Sequence, residues 1–168
     1  AYNHPSVLMY SIGNEIADTG SANGSVQGRE IVEEIRHLDP HRYIINAING
    51  MVSVMGIIEQ MAAQSAEKAA EAQTNSQAEG QEAINSMMSD LGDSMSAIMT
   101  LPVVGQLIEE SCSVIDIAGY NYMDSRYESD SVTYPNRIMC GTETFVPSIY
   151  KNWKLVKKLP NVIGDFCW

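Results

Sequence analysis

Five short apolar runs divide the chain, and segments with helical spacing lie between most of them. The runs are Val7–Ile12, Tyr43–Ile48, Val114–Ala118, Arg137–Cys140 and Val162–Trp168. Most are continuous rather than alternating, which is typical of strands buried on both faces of a parallel sheet. Residues 26–38 and 148–159 repeat apolar positions at helical spacing, and a proline closely follows each segment. This rhythm of strand and helix predicts an α/β fold with a parallel sheet.

The stretch between the second and third predicted strands differs from the rest of the chain. Residues 51–112 are rich in Ala, Gln, Ser and Met. One helical stripe has spacings of three and four and consists of Ile84, Met87, Met88, Leu91, Met95 and Ile98. Because connections in compact domains are usually a few residues long, we predict that 51–112 is a helical insertion within the domain. The stripe favours packing on the host domain, and a lid or subunit contact is the alternative.

Composition limits the possible partners and the cellular location. The chain has 168 residues and a net charge of −11, which argues against non-specific binding to nucleic acid or to an anionic membrane. No apolar stretch has the length of a transmembrane helix. The three widely spaced cysteines, Cys112, Cys140 and Cys167, fit neither a disulfide framework nor a metal motif and favour a cytoplasmic location. We expect Cys140 and Cys167 to be buried as small hydrophobic residues.

Polar or aromatic residues end every predicted strand. The five blocks are Ser11-Ile12-Gly13-Asn14-Glu15, Asn46-Ala47-Ile48-Asn49-Gly50, Gly119-Tyr120-Asn121-Tyr122, Gly141-Thr142-Glu143-Thr144 and Gly164-Asp165-Phe166-Cys167-Trp168. In parallel α/β folds, the carboxyl ends of the strands form the active edge of the sheet. Glu15 and Glu143 are hard to explain as helix caps, since glutamate is a poor N-cap residue.

Two carboxylates that face one cavity can carry out glycoside hydrolysis. One is protonated and gives its proton to the leaving oxygen, and the other is ionised and attacks the anomeric carbon. The spacing of Glu15 and Glu143 by itself leaves other interpretations open. These are aspartic-type chemistry, a metal site or structural pairing of the two carboxyl groups.

Several of these blocks resemble the signatures of a known family. Asn3-His4-Pro5-Ser6-Val7, followed by Tyr10-Ser11-Ile12-Gly13-Asn14-Glu15, is similar to the acid/base signature of glycoside hydrolase family 2, the β-galactosidase and β-glucuronidase family. Further similar blocks follow in the family's order: Gly119-Tyr120-Asn121-Tyr122, Cys140-Gly141-Thr142-Glu143 and Ile163-Gly164-Asp165-Phe166-Cys167-Trp168. Tyr10 is a departure, because many members have tryptophan there.

The resemblance implies a (β/α)8 TIM barrel in which the acid/base ends strand four and the nucleophile ends strand seven. Glu15 ends the first predicted strand and Glu143 the fourth, which is also three strands later. We therefore predict that residues 1–168 are the C-terminal portion of a TIM-barrel catalytic domain, strands four to eight. The chain has no initial Met and stops within a predicted strand, so we expect both ends to be cut from a longer protein.

The resemblance also implies roles for individual residues. Glu15 matches the general acid/base, Glu143 the nucleophile, and Asn14 the residue that hydrogen-bonds the sugar 2-hydroxyl. Tyr122 matches a tyrosine that hydrogen-bonds the nucleophile, and Trp168 matches an aromatic residue of the sugar subsite. Further candidates for the pocket lining are Asn46, Asn49, Tyr120 and Asp165.

The expected activity is hydrolysis of terminal β-glycosidic bonds with retention. A β-galactoside is favoured over a β-glucuronide, because the blocks at 119–122 and 141–143 look most like the galactosidase branch. The expected partner is a carbohydrate, no organic cofactor is required, and Mg2+ is implied by the resemblance alone. A non-catalytic fragment, or a carbohydrate-binding or interaction module built around 51–112, is the alternative. We expect the isolated chain to be poorly active, because an incomplete barrel leaves sheet edges unpaired.

Overall fold

The computed structural model describes residues 4–55 and 98–168, and a five-stranded sheet forms its centre. The strands are β1 (Met9–Asn14), β2 (Tyr43–Ile48), β3 (Ile117–Asn121), β4 (Ile138–Thr144) and β5 (Val162–Cys167). All neighbours are parallel, and their order in the sheet is their order along the chain. The predicted α/β class with a parallel sheet is confirmed. The closed TIM barrel and the numbering of its strands stay predictions.

Four α-helices connect the strands in the described residues. They are α1 (Ala22–Leu38), α2 (Pro102–Ser113), α3 (Tyr127–Thr133) and α4 (Ile149–Lys158). The side chain of Ser21 accepts a hydrogen bond from the amide of Gly24 and caps the start of α1, while Asp39 precedes Pro40 at its end. None of the helices in the described part of the chain is long and apolar enough to span a bilayer.

Only the two ends of the predicted insertion are described. Residues 51–55 are helical, and α2 includes the short final helix predicted for residues 103–110. Residues 56–97, which contain most of the methionine stripe, lie outside the described residues. At the C-terminal end of the predicted insertion, the guanidinium of Arg126 donates hydrogen bonds to the carbonyl oxygens of Met99 and Leu101. These bonds fix the start of α2 against the loop that follows β3.

The two faces of the sheet differ in what covers them. The outer face packs against helices, and its core contains Ile48, Val104, Ile108, Ala118, Tyr120, Met123, Tyr127, Met139 and Val162. The inner face carries a smaller cluster of Ile45, Ile117 and Cys140, against which Met9 packs. Because successive side chains in a strand point to opposite faces, neighbours such as Tyr120 and Asn121 belong to different faces.

Two of the three cysteines are buried and one is exposed. Cys112 and Cys140 are buried, and burial raises the pKa of each thiol to about 11. The prediction that Cys167 is buried is wrong, because the end of β5 is exposed and Cys167 lies there. All three thiols are free.

Candidate active site

The carboxyl group of Glu15 receives hydrogen bonds from the ends of two neighbouring strands. Glu15 follows β1 directly, and Asn49 follows β2. The Asn49 amide nitrogen Nδ2 donates to Glu15 Oε1 at 2.9 Å, and Nδ2 of Asn121, the last residue of β3, donates to the same oxygen at 3.2 Å. The Asn49 amide is itself oriented, because its Oδ1 accepts from the backbone amide of Met51 at 3.0 Å. Two neutral amide groups therefore hold the Glu15 carboxyl group in place.

Asn121 connects three strands through its side chain. Its Nδ2 also donates to Asn14 Oδ1 at 2.9 Å, and its Oδ1 accepts from Thr142 Oγ1 at 2.5 Å. Asn14 ends β1 and Thr142 lies on β4 beside Glu143. Asn121 is fully buried, so water does not compete for these contacts. The amide is a rigid link between the strand that carries Glu15 and the strand that carries Glu143.

Tyr122 lies next to Glu143, because its backbone amide donates to the Glu143 carbonyl oxygen at 2.8 Å. The contact of its hydroxyl with the nucleophile, which the resemblance implies, stays a prediction. The pKa of Tyr122 is raised above its ordinary value, first by burial, then by the side chain of Glu143 and by the negative charges of Glu143 and Glu15. The hydrogen bonds of Asn121 connect the two strand ends, because Asn121 bonds both Glu15 and Thr142, the residue before Glu143. The ring of Tyr122 also packs against Phe145, with 4.6 Å between the ring centroids.

The backbone is strained at two positions of this site. Glu15 has φ 49° and Tyr122 has φ 56°, and they are the non-glycine residues with positive φ in the described ranges. Each such conformation costs on the order of 1–3 kcal/mol and persists only where its surroundings hold it. The amide of Glu15 donates to the carbonyl of Ala47, and the amide of Tyr122 donates to the carbonyl of Glu143, both at 2.8 Å. Strain of this kind is concentrated at functional sites.

The register of the sheet also changes at this edge. Pairing of β1 with β2 shifts between Ser11 and Asn14, and pairing of β3 with β4 shifts between Tyr120 and Asn121. Such irregularities turn the backbone and redirect the side chains that follow. Glu15 and Tyr122 directly follow these two irregular pairings.

The structure thus brings together Asn14, Glu15, Tyr122 and Glu143, and it places Trp168 less closely. The backbone amide of Trp168 donates to the carbonyl of Thr144 at 3.1 Å, next to Glu143 in the chain. Its ring is 82% exposed. The role of Trp168 in a sugar subsite therefore stays a prediction.

Three of the four further candidates lie on the outer face. Tyr120 donates to Asp130 at 2.6 Å, and Asn46 is buried beside α1 and α2. Asp165 accepts from Thr144 Oγ1 at 2.6 Å and from the Tyr127 hydroxyl at 2.9 Å. These residues have structural contacts and do not line the space between Glu15 and Glu143. Only Asn49 joins the site.

Asn121 and Thr142 are site residues that the sequence did not single out. Both lie inside blocks that were recognised, but the blocks do not show which of their side chains face inward. Strand alternation carries the missing signal, because Asn121 is two residues from the inner-face position Gly119 and Thr142 is two from Cys140. The actual contacts depend on the register shift, which the sequence does not show.

A Mg2+ ion beside Glu15 stays a prediction that rests on the resemblance alone. Within residues 4–55 and 98–168, no group of three or more His, Cys, Asp or Glu side chains is arranged to hold a metal ion. The oxygen Oε1 of Glu15 accepts two amide N–H groups.

Two solved structures of glycosyl hydrolase family 2 members from Bacteroides cellulosilyticus are similar to this chain. Both are 26% identical to it in sequence, superpose with a TM-score of 0.63 and cover 99% of its length. The chain spans only 16% of the first of these proteins and 15% of the second. No protein-family model and no curated protein matches the chain.

The predicted resemblance to glycoside hydrolase family 2 is confirmed by these structures. The similarity extends over nearly the whole chain and therefore includes all the blocks on which the resemblance was based. It suggests glycoside hydrolysis as the class of reaction. Because the chain is a small part of each similar protein, the activity of the full-length protein is a matter for proposal.

Proposed function

We propose that this chain supplies the acid/base and the nucleophile of a retaining β-glycosidase. The observation that carries the proposal is the hydrogen bonding of Asn121, which donates to Glu15 Oε1 and accepts from Thr142, the residue before Glu143. Two carboxyl groups held at one edge of a parallel sheet fit the two-carboxylate chemistry of glycoside hydrolysis. The similarity to family 2 structures supports the same class of reaction.

In the first step, a carboxylate oxygen of Glu143 forms a bond to the anomeric carbon. The bond from that carbon to the leaving oxygen breaks, and its electron pair takes the proton of Glu15. The products are a neutral alcohol, an ionised Glu15 and a sugar bound covalently to Glu143. Tyr122 remains a neutral donor during this step, since its raised pKa keeps the phenol protonated.

In the second step, the ionised Glu15 accepts a proton from water while the water oxygen attacks the anomeric carbon. The bond between the sugar and Glu143 breaks, and its electron pair returns to the Glu143 carboxylate. Two inversions at one carbon give overall retention. Glu15 ends protonated and Glu143 ends ionised, so the site is ready for another cycle.

We propose a terminal β-galactoside as the substrate, with a β-glucuronide as the alternative. The sequence blocks at Tyr122 and Glu143 support this choice by their resemblance to the galactosidase branch. The test compares nitrophenyl β-galactoside with nitrophenyl β-glucuronide, using the full-length protein. Faster hydrolysis of the glucuronide would replace the galactoside assignment without affecting the assignment of the carboxyl groups.

The mechanism has its own experiment. Proton NMR during hydrolysis of an aryl β-glycoside should show the β anomer of the sugar first, followed by slower equilibration in water. Initial release of the α anomer would contradict a retaining mechanism. Sugar binding without turnover in the full-length protein would contradict an enzyme and favour a carbohydrate-binding module.

A further inference from the structure

We infer that Asn121 is a positioning residue for Asn14 and Glu15. It fixes the amide of Asn14, and it directs the catalytic proton of Glu15 to Oε2. This inference rests on the proposed glycosidase function. Asn121 does not need to touch the substrate, because it acts through Asn14 and Glu15, to which it donates hydrogen bonds. Thr142 on β4 is its anchor.

The orientation of the Asn121 amide follows from its three partners. Thr142 Oγ1 contacts its Oδ1 at 2.5 Å, while Nδ2 faces two oxygen acceptors, Asn14 Oδ1 at 2.9 Å and Glu15 Oε1 at 3.2 Å. A flipped amide would place its own oxygen against both of those oxygens, which is repulsive. Both N–H bonds of the amide are used, and the side chain is fully buried.

The fixed amide of Asn121 determines the orientation of the Asn14 amide. Since Asn14 Oδ1 accepts the hydrogen bond from Asn121, the Nδ2 group of Asn14 is the end left to meet a ligand. Asn14 is exposed, so this end is accessible at the edge of the sheet. The site therefore offers a hydrogen-bond donor to the sugar at this position.

The same amide separates the two oxygens of Glu15. Oε1 accepts from both Asn49 and Asn121, and a proton on Oε1 would point at one of these N–H donors. The proton is therefore carried by Oε2, which must face the leaving oxygen. Without Asn121, the carboxyl group can rotate and present the wrong oxygen. The loss would affect proton transfer more than it affects binding.

Leaving groups of different basicity distinguish this role from a general structural one. A phenyl glycoside needs protonation of its leaving oxygen, whereas a dinitrophenyl glycoside departs with little assistance. In the full-length protein, Asn121→Ala should lower kcat/KM for the phenyl substrate by on the order of 10²-fold, the scale of a misplaced catalytic group. For the dinitrophenyl substrate, kcat/KM should fall much less.

Two variants of Thr142 and one of Tyr120 complete the experiment. Thr142→Val removes the anchoring hydroxyl and should give a smaller loss with the same dependence on the leaving group, while Thr142→Ser should restore wild-type rates. Tyr120→Phe, next to Asn121 but on the outer face, should show no dependence on the leaving group. If Asn121→Ala fails to fold, Thr142→Val measures the same effect.

The possible results separate the inference from the function on which it rests. A loss that depends on the leaving group supports the inference. An equal loss for both substrates in Asn121→Ala and Thr142→Val overturns it and leaves the glycosidase function in place. If the wild-type protein hydrolyses neither substrate with any sugar tested, the proposed function fails and the inference fails with it.

Discussion

Two neighbouring residues of β3, Tyr120 and Asn121, belong to two polar networks on opposite faces of the sheet. On the outer face, Tyr120 donates to Asp130, which also pairs with Arg126 at 2.7 Å and with Arg137 at 3.6 Å. On the inner face, Asn121 donates to Glu15. Both networks place a carboxyl group among donors, but the donors differ in charge.

The difference in charge corresponds to a difference in task. Asp130 is almost fully buried and forms ion pairs with two arginines, which is a structural arrangement. Among the described residues, no ion pair involves Glu15 or Glu143, and Glu15 accepts hydrogen bonds from two neutral amides. Neutral donors orient the carboxyl group of Glu15 without placing a positive charge beside it, and the acid/base of the proposed mechanism has to gain and lose a proton.

The strongest test of this comparison is removal of the nucleophile. Glu143→Gln keeps the size of the side chain but removes the attacking oxygen anion. We expect kcat to fall by roughly 10⁴-fold or more, the scale of nucleophile removal in other hydrolases. Steady-state hydrolysis of an aryl β-glycoside by the full-length protein measures it. A loss of tenfold or so would mean that Glu143 does not form the covalent bond.

The acid/base residue should give a smaller loss with a different pattern. Glu15→Gln should lower kcat/KM for a phenyl glycoside by about 10²–10⁴-fold, because general acid–base catalysis contributes that much. Rates for a dinitrophenyl glycoside should be limited by hydrolysis of the covalent intermediate and should rise when azide is added as a replacement nucleophile. Absence of both effects would place the proton donor elsewhere.

The outer network should respond in stability rather than in chemistry. Asp130→Asn leaves the buried guanidinium of Arg126 without its anion, and breaking a buried pair in this way costs about 3–5 kcal/mol. We expect a lower free energy of unfolding, measured by chemical denaturation, with an unchanged ratio of rates for phenyl and dinitrophenyl substrates. A changed ratio would show that the two faces of β3 are coupled.

Tyr122 is expected to have an intermediate effect on rate. Tyr122→Phe keeps the ring against Phe145 but removes the hydroxyl that the resemblance pairs with Glu143. Loss of a hydrogen bond to the ionised nucleophile should lower kcat by roughly ten- to a hundredfold, the equivalent of about 1.5–3 kcal/mol. Phe145→Ala is the matched comparison, since it keeps the hydroxyl and removes the packing. If the two variants behave alike, the ring rather than the hydroxyl holds Glu143.

The smallest expected effect concerns pH. Burial, with the nearby negative charges, raises the pKa of Tyr120 well above its ordinary value. The unfolded chain ionises this tyrosine above about pH 10 and the folded chain does not, so the contribution of Tyr120 to stability is present below that pH and is lost above it. Above pH 10, the unfolding free energy of the wild-type protein should therefore fall more steeply with pH than that of Tyr120→Phe. The difference in slope should be up to about 1.4 kcal/mol per pH unit. Identical slopes would contradict burial of the hydroxyl.

Local sequence predicted the elements unevenly. Tyr43–Ile48 has the predicted bounds, because the run is apolar and β-branched and ends at polar residues. The short helix α3 was not predicted, since serine, aspartate and threonine are poor helix formers. It is stabilised by the local buried pair between Arg126 and Asp130, four residues apart, and by hydrogen bonds from Tyr120 to Asp130 and from Tyr127 to Asp165.

The amphipathic face of α4 shows the same limit. Its apolar spacing predicted one face that contains Ile149, Trp153, Val156 and Leu159. Val156 and Leu159 pack on the outer core, whereas Ile149 and Trp153 are nearly half exposed. Asn152 is fully buried although the apolar pattern does not include it, because the position of the sheet below the helix decides which side chains are covered.

The sequence by itself determined that Glu15 and Glu143 end parallel strands of one sheet, three strands apart, since apolar runs and polar strand ends are local features. Only the tertiary structure decided that Asn121 and Thr142 support them while Tyr120 and Asp165 do not. The physical reason is the pleat: a strand alternates its side chains between two faces, and register shifts interrupt that alternation at this edge. Which face the helices cover is a property of the assembled sheet.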